Sequence, residues 1–202
     1  DGFKRSGFGD VTKRFFDILA ASILLIINLP IMVFVYLGIK ISDGLKNPAF
    51  YSQRRVGLNG DIFVIRKFRS MSVDAEEEGK AQWATSNDSR VTKFGSFLRL
   101  SRCDELPQLF NVLAGDMSFV GPRPNLFNQE ELIQERDSRG VYSVRPGITG
   151  LAQINKIDMS TPQLLAETDA KMIDHLNVWY YFKYIFLTVF GKGFGDRVRQ
   201  DA

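Results

Sequence analysis

Histidine and cysteine each occur once, as His175 and Cys103, and these scarcities exclude whole classes of chemistry. One thiol closes no internal disulfide, so a reducing compartment is the simplest setting. One imidazole excludes a histidine-rich metal centre, and nothing around His175 suggests a hydrolytic triad. Any metal would be held by carboxylates and substrate oxygens, which points to a hard ion such as magnesium. Charge of one sign is also scarce. The net value of +3, from 26 basic and 23 acidic residues, is too small for a dedicated nucleic-acid binder. A hydrophobic share of 45% excludes disordered and low-complexity classes, and 202 residues suit one compact domain, or one domain plus a membrane anchor. The chain begins at Asp1 without a Met, which reads as a piece of something longer.

What is present is unevenly spread. Ile18 to Ile39 forms a run of 22 residues with no charged side chain. As a straight helix it would reach about 33 Å, enough for a bilayer core. It is too long for a signal peptide and no cleavage site follows it. Pro30 lies near its middle with Asn28 two residues earlier, so a break is expected there, with Asn28 able to serve a freed backbone group. Basic residues flank both ends, Lys4, Arg5, Lys13 and Arg14 before and Lys40, Lys46, Arg54 and Arg55 after. Equal flanks fit a helix–break–helix hairpin with both ends on the cytoplasmic face better than a crossing helix, although a kinked crossing helix stays open. A second membrane-facing element is expected at Leu176 to Phe190, rich in Trp179, Tyr180, Tyr181, Phe182 and Tyr184. Its rings suit an interfacial helix with wet polar tips, although a core helix of the domain stays open.

Between them the pattern predicts a globular region. Phe50–Tyr51 and Ile62–Ile65 read as strands around the turn Gly57–Gly60. Asp74 to Glu78 is a solvated acidic patch, expected on a helix. Val91 to Leu100, Leu106 to Leu113, Asn125 to Arg136 and Thr161 to Leu176 carry helical spacing, with Leu106, Leu109, Phe110 and Leu113 sharing one face. Thr161-Pro162 supplies the start of the last of these helices. The expected fold class is α+β, mainly helical, as a single membrane-seated domain. Residues 1–43 would hold the re-entrant hairpin, and residues 44–202 the cytoplasmic part with an amphipathic interfacial helix at about 176–190.

The densest chemistry runs from Asp104 to Pro124. Asp104 and Glu105 open a helix containing Pro107, where carboxylates favour the unsatisfied N–H groups. Alone, that is only a cap. Around it lie Arg99 and Arg102, then Gly121-Pro-Arg-Pro124, Arg145-Pro-Gly-Ile-Thr-Gly150 and Arg66-Lys-Phe-Arg69. Glycine admits close backbone approach, proline stiffens a loop, and arginine offers a fork for phosphate. Together they suit a polyanionic phosphate ligand. Cys103 reads as packing, His175 as surface, and Asp116 as a turn or supporting residue.

The runs DELPQLFNVLAGDMSFVGPRP (104–124), RPGITGLAQIN (145–155) and RKFRSM (66–71) resemble those of the bacterial sugar transferases, the monotopic phosphoglycosyl transferases. The resemblance extends from Lys13 to about Val198, and to the short catalytic form. It implies a re-entrant membrane helix broken at Asn28 and Pro30, and a place at the cytoplasmic face of the bacterial inner membrane. It also implies transfer of sugar-1-phosphate from a UDP-sugar to polyprenol phosphate, with UMP released and Mg2+ as cofactor. Asp104 would be nucleophile and metal ligand, with Glu105 assisting. Arg99, Arg123, Lys67 and Arg69 would hold phosphates, and Arg145 the nucleotide end. At 67–69 the chain reads KFR where the family usually has KFK. The partners implied are the UDP-sugar, polyprenol phosphate and membrane lipids, with no nucleic acid. A homodimer is one oligomeric option, and the region 161–198 leans toward an N-acetylated hexosamine donor. Two alternatives stay open, direct transfer in a ternary complex and a non-catalytic module binding anionic lipid.

Overall fold

A computed structural model describes residues 7–75 and 88–190, with side chains from residue 10 onward. Lys4 and Arg5, Glu76 to Glu78 of the acidic patch, and residues 191–198 of the resemblance lie outside the described residues. Asp74 itself lies in an exposed turn.

The apolar run belongs to one helix, α1, Gly7–Asp43, of 37 residues. The expected division into two helices at Asn28–Pro30 is therefore corrected, since α1 continues through Pro30. Proline deletes a single helical bond, the one its N–H would give to Ile26, and the turns on either side keep theirs. The Asn28 amide does not serve that freed carbonyl. It donates to Leu24 O at 2.8 Å. The face turned inward explains the continuity: Lys13, Asp17, Ala21, Met32, Val35 and Ile39 are buried, with Leu25 and Asn28 half-buried between them. Steps of three and four trace one helical stripe through the proline. The opposite face, including Ile23, Ile26, Ile27, Leu29 and Phe34, is exposed.

The hairpin follows. Strand β1 (Phe50–Val56) pairs antiparallel with β2 (Ile62–Phe68), from Phe50 opposite Phe68 to Val56 opposite Ile62. Asn59 and Gly60 turn the chain at φ 55° and 81°. Helix α2 (Lys93–Ser101) is capped by Thr92, whose side chain accepts from Gly95 N. Helix α3 (Gln108–Ala114) comes next, then β3 (Ser118–Val120) and α4 (Glu130–Ser138). Strand β4 (Gly147–Thr149) runs parallel to β3, and helices α5 (Leu151–Ile154), α6 (Pro162–His175) and α7 (Val178–Val189) complete the described chain. The fold is α+β and mainly helical.

Two faces depart from the sequence pattern. On α3, Phe110 is exposed, while Gln108 and Asn111 are buried. Asn111 docks against the open edge of β2: its Oδ1 accepts from Arg66 N at 3.0 Å and its Nδ2 donates to Val64 O at 2.7 Å. On α7 the apolar residues Trp179, Phe182, Phe186 and Val189 face outward, as does Phe190 just past its end, whereas Tyr181 and Tyr184 turn inward. The expectation of wet tips fails for Tyr181, whose hydroxyl donates to Asp17 within the core.

The apolar core has two main parts, and α1 contributes to both. Its first half (Ala21, with Phe16 and Ala20) joins Leu109, Val112, Phe119, Val120 and Tyr181. Its second half (Met32, Val35, Ile39) joins Ala49, Phe68 and Leu98. The two halves thus rest on the same globular unit, with Leu25 touching both parts.

Candidate active site

The acidic pair does not open α3. Helix α2 stops when Arg102 adopts a left-handed conformation (φ 59°, ψ 14°), and Cys103–Glu105 then forms its own 3-10 turn before Pro107 starts α3. Such backbone costs a non-glycine residue about 1 kcal/mol or more, which is offset here by packing. Cys103 and Leu106, which bracket the pair, pack against the cluster that the second half of α1 forms with Ala49, Phe68 and Leu98. Asp104 between them is only 4% exposed.

Glu105 gathers two of the expected cations. Its Oε1 accepts from Lys67 Nζ at 3.2 Å and from Arg123 Nη2 at 3.0 Å, with all three side chains largely buried. Lys67 points inward because β2 alternates, leaving Arg66 exposed and Lys67 buried. Arg99 comes from α2, and its Nε donates to Ser70 Oγ at 2.9 Å, just past the end of β2. Gly95 permits that approach, since a Cβ there would lie 1.9 Å from Ser70 O. Lys67 from β2 and Arg123 from a loop thus meet at Glu105, the neighbour of Asp104 in the 3-10 turn, while Arg99 is fixed beside the end of β2. Arg69 donates from Nε to Pro48 O at 2.9 Å. Arg145 Nε donates to Gly115 O at 2.8 Å, at the opposite end of α3 from the acidic pair.

The loop bearing Arg123 is held by close backbone contact. Gly121 N donates to Thr149 O at 2.9 Å and Gly147 N to Pro122 O at 2.8 Å, so the two Pro- and Gly-containing loops interlock as neighbours of β3 and β4. A Cβ on Gly147 would sit 2.1 Å from Gly121 N. The repeated Arg, Pro and Gly pattern is therefore largely a packing device, with Arg123 its product. From the other side, Arg136 Nη1 donates to Arg123 O at 2.8 Å and to Asn125 Oδ1 at 2.9 Å, and Nη2 donates to Asp169 Oδ2 at 2.7 Å.

Several of these supports escaped sequence reasoning. Arg136 and Asp169 sit on polar helices and show no sign of burial in the sequence. Lys13 and Arg14 read as membrane-flanking charges, yet Lys13 is buried and Arg14 donates to Val112 O and, at 2.8 Å, to Leu113 O at the end of α3. Burial lowers Lys13 from 10.5 to about 8, with Asp17 opposing and Arg145 adding to the shift. Burial also raises the Tyr181 phenol, and the neighbouring Asp17 carboxylate raises it further. A signal for Asp17 did exist: an acidic residue one position before a long apolar run needs a partner inside.

Among the described residues no three His, Cys, Asp or Glu side chains come together as a metal cage. Asp116 accepts from Asn111 Nδ2 at the far end of α3, away from Asp104. Glu105 is engaged by two cations, which disfavours a metal on that oxygen.

Comparison with known proteins gives consistent matches. The profile of the family described as bacterial sugar transferase matches residues 8–193. The UDP-glucose:undecaprenyl-phosphate glucose-1-phosphate transferase of Klebsiella pneumoniae is 44% identical over 198 residues, covering 94% of this chain and 41% of its own length. The Escherichia coli (strain K12) protein of the same description is 41% identical, covering 95% and 42%. That of Caulobacter vibrioides is 38% identical, covering 84% and 64%. The chain thus spans about two fifths of the length of the first two relatives.

Proposed function

The chain belongs to the bacterial sugar transferase family, and on that premise we propose that it moves a sugar-1-phosphate from a UDP-sugar to undecaprenyl phosphate. The observation that carries the reading is Asp104, buried beside a Glu105 that draws Lys67 and Arg123 to one oxygen. A carboxylate attacks an anionic diphosphate poorly unless charge is neutralised, and Lys67 and Arg123, gathered at Glu105, supply positive charge beside Asp104. In the first step an Asp104 oxygen bonds to the sugar-bearing phosphorus, the bond to the α-phosphate oxygen breaks, and UMP leaves. In the second step an oxygen of undecaprenyl phosphate attacks the same phosphorus and Asp104 is released. Glu105 orients Lys67 and Arg123 on the transferring group. Magnesium, when bound, would neutralise diphosphate charge, with Asp104 its protein ligand.

The donor reading shifts from the sequence lean. Relatives named for glucose-1-phosphate transfer favour UDP-glucose over an N-acetylated hexosamine. The site would lie at the cytoplasmic face of the inner membrane, where UDP-sugars are made. Both halves of α1 rest on one unit, and a re-entrant path would take the form of a bend at Pro30 within the single helix rather than a break into two. The outward apolar side chains of α7 support interfacial docking.

Incubation with UDP-glucose and magnesium but no lipid acceptor tests the covalent route. The expected result is one UMP per protein and one hexose-phosphate of added mass at Asp104, both lost in Asp104→Asn. UMP appearing only when acceptor is present would favour direct transfer, and Asp104→Asn with undiminished turnover would remove the enzyme reading altogether.

A further inference from the structure

Asp17 lies outside the cluster around Glu105, yet it ties three elements together. Its Oδ1 accepts from Phe119 N at 3.0 Å, from Ser118 Oγ at 3.0 Å and from Tyr181 OH at 2.8 Å, and the residue is 1% exposed. Strand β3 is the reason for this arrangement. Ser118 and Val120 pair with β4, so the N–H of Phe119 points to the opposite edge, where no third strand runs. A carboxylate on α1 takes the place of that strand. One residue beyond β3 comes Gly121, and Arg123 follows at the end of the loop that reaches Glu105 at 3.0 Å.

We propose that Asp17 is a positioning residue for phosphoryl transfer: from the membrane helix, it holds β3 so that the next loop presents Arg123 to Glu105 and to the substrate phosphate. The inference rests on the function proposed above. It adds a physical link between the lipid-facing helix and the reacting phosphate, so the site is complete only when α1 lies against the domain. A buried carboxylate receiving three donors is a stiff joint, because each donor would lose its partner if α1 moved away.

The test is a mutant cycle on UMP release, run in nanodiscs. Asp17→Ala is expected to lower kcat/KM for the UDP-sugar by about 100-fold, the scale of a misplaced phosphate ligand. In an Arg123→Ala background the same change should cost less than about 3-fold, because the residue it positions is gone. Asp17→Asn, whose carbonyl still accepts from Phe119 N, should recover at least about 10-fold of the loss and guards against a variant that fails to fold. Losses that simply multiply in the double variant, or no recovery with Asn, would overturn the proposal and leave Asp17 with a stabilising role only. Failure of the function itself would look different, as full UMP release by Asp104→Asn.

Discussion

Asp169→Asn is the sharpest probe of the framework that carries Arg123. The Arg136 and Asp169 side chains are 1% and 0% exposed and meet at 2.7 Å. Asparagine keeps the volume, so no cavity opens, but the guanidinium loses its counter-charge. Breaking such a pair costs roughly 3–5 kcal/mol. At about 2–4 °C per kcal/mol for a chain of this size, the unfolding midpoint should fall by roughly 6–20 °C. The pair is incompletely served, because Arg136 Nε and Asp169 Oδ1 find no hydrogen-bond partner among the described residues. Removing both charges should therefore cost less than removing one. Arg136→Met combined with Asp169→Leu gives up the bonds to Arg123 O and Asn125 Oδ1, about 1 kcal/mol each, and regains desolvation energy. Intrinsic-fluorescence unfolding in one detergent at one scan rate reads both effects. An Asp169→Asn midpoint within about 2 °C of the parent, or a double variant less stable than the single one, would refute the reasoning.

Three further outcomes are expected. Gly147→Ala places a Cβ 2.1 Å from Gly121 N, so β3 and β4 must separate at a cost of about 1–3 kcal/mol or more. UMP release should collapse with the shift of Arg123, and retained activity would show that the interlock is not needed. Lys13, lowered to about 8 by burial, holds fewer protons folded than unfolded between pH 8 and 10.5. Stability should rise with pH across that window by at most about 3 kcal/mol, and Lys13→Met should abolish the rise; equal slopes would contradict it. Trp179 is 74% exposed on α7 and should be quenched by lipids brominated near the headgroup once Trp83 is replaced by Phe. Quenching only by aqueous agents would detach α7 from the interface.

Legibility from sequence followed the range of the forces involved. The hairpin at 50–68 and the helix at 162–175 could be read locally, because turn chemistry and periodicity act within a few residues. Strands β3 and β4 could not, being three residues each and meaningful only as partners. The Leu and Phe spacing of 106–113 misassigned the inner face of α3, because Asn111 is drawn in by the unpaired edge of β2. In the acidic run, Asp104 and Glu105 were visible by type and setting, while the 3-10 turn that separates them from α3 was not.

Alone, the chain's order of residues determined that an apolar segment must leave water, that its one thiol and one imidazole build no disulfide or histidine-rich cluster, and which carboxylates and arginines are candidates. Those are properties of composition and short spacing. Only the tertiary structure decided that Lys67 and Arg123 share one Glu105 oxygen, that Arg69 and Arg145 bond to Pro48 O and Gly115 O, and that Lys13, Asp17 and Arg136 are interior. A charged side chain carries no local mark of its destination. Burial of charge is stable when a partner, far away in sequence, arrives at hydrogen-bond distance, and folding alone brings such partners together.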